Sequence, residues 1–258
     1  MRYHIDTIPV WDAMRLDGEC FLCALQRRTE LAEADRYLGA SVMEPDVRVR
    51  VNRLGFCRVH HAMFFAMSNR LGHALMLESH HQETADQTRE VIARMKKAAD
   101  AAAGAPLGKL SRSGAQAARD MAAAAEQLRE MADSCVLCDS IRENMERYLH
   151  TVFHLYRTDS EFHRCLTSGK GVCLPHLADL MRVAPQELNA RELAAFVDEM
   201  GRNQAQQAER IQEDISWFIR KFDHRFADQP WKNSKDAVPR TVNKLRGWCV
   251  GPEPNPKE

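Results

Sequence analysis

Eight cysteines stand at positions 20, 23, 57, 135, 138, 165, 173 and 249, and six of them recur in one pattern with two histidines. The first copy is Cys20-Phe-Leu-Cys23 followed by Gly55-Phe-Cys57-Arg-Val-His60; the second is Cys135-Val-Leu-Cys138 followed by Gly171-Val-Cys173-Leu-Pro-His176. Corresponding residues are offset by 115, 115, 116 and 116 positions, which reads as an internal duplication with a single one-residue insertion. A CxxC places two thiolates within reach of one ion, and a CxxH adds a thiolate and an imidazole. Each copy is therefore expected to close its own four-ligand tetrahedral site, from Cys20, Cys23, Cys57 and His60 and from Cys135, Cys138, Cys173 and His176.

Other uses of these cysteines fit less well. Structural disulfides belong to oxidising compartments, and they would leave the fixed spacing to histidine without a purpose. A thioredoxin-like CxxC sits in a βαβ setting, and the chain shows almost no strand-like alternation. His61 stands beside His60, but the repeat selects His60, because the corresponding neighbour in the second copy is Leu177. Glu78-x-x-His81 resembles one half of a di-iron carboxylate site, yet no second ExxH occurs. Cys165 and Cys249 have no counterpart in the repeat and are expected to be buried, inert thiols. The alternative for Cys165, eight residues before Cys173, is exchange with a ligand or contact with a substrate near the second site.

The fold class follows from residue usage. Ala, Leu, Met, Glu, Arg and Gln fill long stretches, Gly numbers only 12 and aromatics 7%, so the chain is expected to be all-α. Apolar residues at Phe64, Met67, Leu71 and Leu75, then Val91, Ile92 and Met95, predict one long helix or two stacked ones from Cys57 to about Ala103. Leu193, Phe196, Val197, Met200, Ile211, Ile215 and Phe218 predict the counterpart over about 191–222. The breaker-rich stretch Gly104–Gly114 reads as the link, with an Ala-rich helix over about 115–132 leading to Cys135. Two metal-binding halves, 1–103 and 115–226, and a surface-wrapping tail, 227–258, are expected to form one compact pseudo-two-fold unit, an internally duplicated bundle of two metal-pinned helix–loop–helix halves. The tail carries five prolines, at 230, 239, 252, 254 and 256, while Trp231 and Trp248 predict that part of it docks.

Locally, each CxxC should open a helix whose free N–H groups favour thiolate forms. Gly55 and Gly171, two residues before the third cysteine, fit a sharp turn that needs positive φ. Pro175 fits a first helical turn, where its missing N–H costs nothing.

The charge balance, 36 Lys+Arg against 36 Asp+Glu, argues against a broad nucleic-acid surface. There is no run of 18 apolar residues and no basic-then-apolar leader in MRYHIDTIPVWDAM, so no membrane partner and a cytoplasmic location are expected.

Several pieces resemble an uncharacterised prokaryotic family, common in anaerobes, that pairs an N-terminal CxxC with later GxCxxH motifs. They are His4–Asp12, Glu19-Cys20-x-x-Cys23, both CxxH motifs, and Lys221-Phe-Asp-His through Pro230–Asp236, and they extend over nearly the full length. Members of that family often carry Pro after the first Cys, where this chain has Phe21 and Val136. The resemblance implies metal sites and no known reaction. No Ser-His-Asp order, phosphate loop or dinucleotide fingerprint is present, so no enzyme activity is assigned. The expectation is a scaffold held by two structural zinc ions that serves protein interaction or regulation. Its rival is a redox or sulfur-handling protein carrying two iron–sulfur clusters.

Overall fold

The computed structural model describes residues 3–104 and 110–254. Every regular element among them is helical, and helix makes up 81% of the structure. Eleven α-helices run in chain order: α1 Tyr3–Arg15, α2 Phe21–Leu38, α3 Pro45–Leu54, α4 Arg58–Ala66, α5 Arg70–Ala103, α6 Leu110–Asp133, α7 Val136–Thr158, α8 Ser160–Ser168, α9 Leu174–Glu187, α10 Ala190–Arg220 and α11 Ala237–Arg246. None of the described helices is long and apolar enough to cross a membrane.

The stretch read as one or two helices after Cys57 is two, because Met67 leaves helical geometry at the end of α4 and Asn69 starts α5 by accepting the Gly72 N–H. α10 begins in a capping box, in which the Asn189 side chain accepts from Glu192 N and the Glu192 side chain accepts from Asn189 N. The Ala-rich helix starts earlier than expected, at Leu110, so Ser111 to Gly114 are helical rather than linker. Residues 105–109 of the expected linker, and Pro256 in the tail, lie outside the described residues.

The chain forms two compact units, and they do not follow consecutive halves. One comprises Met1–Thr29 with Arg142–Glu258, the other Glu30–Ile141. The boundaries fall inside α2 and α7, the two helices that follow the CxxC motifs.

In the first unit α10 packs against α8, α9 and α11, and α1 against α8. Its core holds Phe153, Phe162, Leu166, Leu180, Phe196 and Met200, all nearly inaccessible to solvent. Phe153 and Phe196 meet edge to face at 5.1 Å, and Trp11 meets Phe162 in the same way at 5.3 Å, the geometry that ring quadrupoles favour. The tail belongs to this unit: α11 lies on α9 and α10, and the Trp231 ring stands 5.9 Å from Phe218.

In the second unit α5 packs against α3, α4 and α6. Here the aromatic cluster is Tyr37, Phe56 and Phe64, with Phe56 edge-on to both neighbours at 5.7 and 4.7 Å.

Candidate metal centres

The turn that presents each CxxH is built alike in both units. Gly55 and Gly171 adopt φ of +60° and +72°, the left-handed region that glycine enters without steric cost. A side chain would also collide with what lies alongside: a Cβ on Gly55 would strike the His80 imidazole, and one on Gly171 would strike the Asn203 amide oxygen. The cysteine two residues on caps the following helix in extended conformation, Cys57 at φ −71°, ψ 166° and Cys173 at −72°, 163°. From there the histidine three residues on, inside the first turn of α4 or α9, points its Nδ1 back at the cysteine sulfur.

In the first unit those groups meet the turn before α2. Cys20, Cys23, Cys173 and His176 are all buried, and one ligand atom from each lies within 4.8 Å of all the others. His176 Nδ1 stands 3.2 Å from Cys173 Sγ, 3.4 Å from Cys20 Sγ and 3.5 Å from Cys23 Sγ, and the Cys23 and Cys173 sulfurs are 3.6 Å apart. The far ring nitrogen, Nε2, sits 3.0 Å from Gln26 Oε1 on α2. The tail closes over the set: Trp248 N–H donates to Cys23 Sγ at 3.3 Å, and Lys244 Nζ donates to the backbone oxygens of Glu19 at 2.7 Å and Val172 at 3.5 Å. A cleft of about 230 Å³ lies beside the Cys20–Cys23 turn, walled by Asp17, Lys170, Arg240 and Trp248.

In the second unit Cys57, His60, Cys135 and Cys138 converge within the same 4.8 Å span. His60 Nδ1 lies 3.1 Å from Cys135 Sγ, 3.4 Å from Cys57 Sγ and 3.5 Å from Cys138 Sγ, and the Cys57 and Cys138 sulfurs are 3.8 Å apart. His60 Nε2 faces a carboxylate, Glu30 Oε1, at 3.1 Å. Backbone ties fix the approach: Val136 N donates to Gly55 O at 3.0 Å and Ser134 Oγ to Leu54 O at 2.6 Å. His60 and Cys135 are buried, whereas Cys57 and Cys138 are half-buried.

Each set polarises itself. Burial opposes ionisation of Cys20, but hydrogen bonding with Cys173, Cys23 and His176 outweighs it and pulls the thiol well below the ordinary cysteine range. Hydrogen bonding with Cys173 and Cys20, then burial, pushes Cys23 up. In the second unit burial likewise opposes the Cys135 thiolate, yet hydrogen bonding with His60 and with backbone groups brings it down to about 6, while burial and the neighbouring Cys135 push Cys138 up. Both imidazoles resist burial in the same way and rise to about 10, His60 through Cys135 and Glu30 and His176 through Cys173 and Cys20. Without an ion, each set thus holds a thiolate against an imidazolium, and a cation entering it would displace protons.

All eight expected ligand residues come together, but their pairing is exchanged. Each CxxC meets the CxxH of the other copy: Cys20 and Cys23 with Cys173 and His176, and Cys135 and Cys138 with Cys57 and His60. The expectation of one site within each consecutive half is corrected accordingly. The duplicated spacing marks which residues act together in type, not which copy each one joins. All eight cysteines are free, and sulfur separations of 3.6 and 3.8 Å are far from the roughly 2.05 Å of a disulfide.

The residues outside the pattern fall as follows. His61 turns away to stack on His73, with Nδ1 3.0 Å from His73 Nε2. His80 is half-buried, with Nδ1 2.8 Å from Asn52 O. Cys165 is half-buried, whereas Cys249 is exposed rather than buried, because it lies in the turn after α11. Gln26, Glu30 and Lys244 were not legible as supports of the sites. The only sequence signal for the first two is that they stand three and seven residues after Cys23, on the same face of α2.

No curated protein and no solved structure matches the chain. A family profile does, over residues 1–252, and on that match the chain belongs to the family of unknown function DUF6062.

Proposed function

We propose that this protein is a helical scaffold held by two zinc ions, one in each unit, and that its work is done at its surface, in contact with another protein. The observation that carries the reading is the ligand geometry. Bonds of about 2.3 Å to sulfur and 2.0–2.1 Å to nitrogen in a tetrahedron separate neighbouring sulfurs by about 3.8 Å, and sulfur from nitrogen by about 3.6 Å. The two sets have sulfur–sulfur distances of 3.6 and 3.8 Å and sulfur–nitrogen distances from 3.1 to 3.5 Å. A cluster of several irons interposes metal and sulfide between its cysteines and calls for a wider cage, so the compact sets favour a single ion. Three thiolates and a neutral imidazole are an ordinary structural zinc set, and four protein ligands leave no position for a substrate.

The histidines are prepared for this role. With Nδ1 on the ion, Nε2–H donates to Gln26 or Glu30, which fixes the tautomer and the ring plane. The interaction role rests on this closed chemistry and on large apolar side chains left in solvent, Ile219 and Phe222 at the end of α10 among them.

Elemental analysis of freshly purified protein tests the reading. Two zinc per chain is the expected result. A value near one, or iron accompanied by acid-labile sulfide, would overturn it.

A further inference from the structure

Resting on that reading, we propose that the two ions have different fates: the Cys57/His60/Cys135/Cys138 set is an exchange site that passes its ion to, or takes it from, a thiol of another molecule, while the Cys20/Cys23/Cys173/His176 set keeps its ion.

Ligand exchange at a full tetrahedral site is associative, so an incoming sulfur must reach the ion before a resident one leaves. In the second unit two of the three sulfurs belong to half-buried residues, Cys57 at the start of α4 and Cys138 in the first turn of α7. They are 3.8 Å apart and so form one open edge of the ligand set. Behind that edge, Cys135 and His60 are buried, 4% and 3% exposed, and His60 is braced by Glu30. The set therefore has a fixed back and an open front, and an incoming thiol can replace Cys57 or Cys138 while the back holds the ion. Glu30 adds a negative charge to a set that already carries a net −1 with a divalent ion, which favours release of a thiolate.

The first unit is built the other way. No residue of its set is more than 7% exposed, and Cys23 Sγ accepts the Trp248 N–H from the tail. Lys244, 11% exposed at its side chain and 3.8 Å from the Glu19 carboxylate, clamps the carbonyls before Cys20 and Cys173 and so ties both ligand loops to the tail. The adjoining cleft reaches Cys20 and Cys23, but both residues stay at least 93% covered, and the cleft's cations are already in ion pairs, Lys170 with Asp17 and Arg240 with Asp214.

The step balances without an oxidant. A thiol sulfur bonds to the ion as the bond from Cys138 or Cys57 breaks, and the proton of the incoming thiol passes to the departing thiolate. A second such step at the other front cysteine leaves the ion shared between a dithiol acceptor and the back pair; transfer is complete when two further ligands from the acceptor side displace Cys135, which takes the proton of an incoming thiol, and His60, which leaves as a neutral imidazole.

The test uses the zinc-loaded full-length protein, an excess of a chromogenic zinc chelator, and glutathione as the thiol. Zinc release is followed by absorbance, and freed cysteines are trapped with iodoacetamide and located by mass spectrometry. Release in two equal phases is expected, separated by about tenfold or more, the scale on which outer contacts alter zinc retention. The fast phase alone should accelerate with glutathione, with label entering Cys57, Cys135 and Cys138 at that rate and Cys20, Cys23 and Cys173 staying protected. Lys244→Met, which leaves all eight ligands in place, should accelerate only the slow phase. Single-phase release, a fast phase indifferent to glutathione, or first labelling at Cys20 and Cys23 would overturn the proposal while leaving the two-zinc reading intact. Protein that never holds two ions would overturn both.

Discussion

The two ligand sets share their residue types, turn geometry and histidine orientation, yet they are set in different electrostatic surroundings. In the first unit an ammonium, Lys244, holds the ligand loops and a neutral amide, Gln26, holds the histidine. In the second, backbone hydrogen bonds hold the loops and a carboxylate, Glu30, holds the histidine. With a divalent ion, the inner charge is −1 in both; the group that braces the histidine is neutral in one and anionic in the other. On the two-ion reading, the ligand types shared by the two sets would fix what each binds, and the neighbours they do not share would fix how firmly.

The largest expected effect tests the exchanged pairing. Cys20→Ser with Cys173→Ser damages one set and should leave one zinc per chain, whereas Cys20→Ser with Cys57→Ser damages both and should leave none. Consecutive-half pairing predicts the reverse for the two doubles, so metal content of the pair decides between them.

Next in size is a packing test of the two units. Phe64 is fully buried in the second unit, and Phe64→Ala should cost about 3–5 kcal/mol there. Metal retention by the Cys20 set should not change, which alkylation mapping of Cys20 and Cys173 would show.

Acid should strip ions from both sets. His60 and His176 are protonated below about 10, and Cys138 and Cys23 are pushed up, so near pH 7.5 each ion displaces at least two protons. Affinity should then rise about a hundredfold per pH unit in that range. As pH falls through about 6, Cys135 is protonated as well. Below that pH the affinity of the second set should fall more steeply still, because a third proton competes with its ion. Calorimetry in buffers of different ionisation enthalpy counts the protons, and metal content along a pH series follows the loss.

The smallest effect is at Glu30. Glu30→Gln keeps an acceptor for His60 Nε2 and gives it the kind of partner His176 has, so zinc affinity at the second set should change by no more than about tenfold, or about 1.4 kcal/mol. A larger change in competition with a chelator of known affinity would mean that the charge of the carboxylate, and not its hold on the ring, dominates at this set.

The helices were legible because Ala-rich and 3.6-periodic segments determine local structure: α10 at Ala190–Arg220 lies within two residues of the expected 191–222. The ligands were legible because a thiolate-rich pattern repeated at a constant offset has few other uses. Their partners were not, since the offset is the same whether each CxxC closes on its own copy or on the other; only packing of α2 and α7 decides that. Lys244 could not be found either, because it acts on backbone carbonyls, which leave no trace in residue type.

The exchanged pairing makes the connections nested. Cys23 and Cys173 are 150 residues apart, and the His60–Cys135 contact, spanning 75, lies wholly between them. On a ribosome adding about 5–20 residues per second, the inner ligands are all synthesised while the outer set still lacks two members. Cys20 and Cys23 then wait roughly 8–30 s for Cys173 at that elongation rate, as an exposed dithiol on a growing chain. During that interval the second unit can load and fold, and the first cannot. For a chain that takes up two ions as it is made, this connectivity would set the order of uptake, the inner set first and the outer set last.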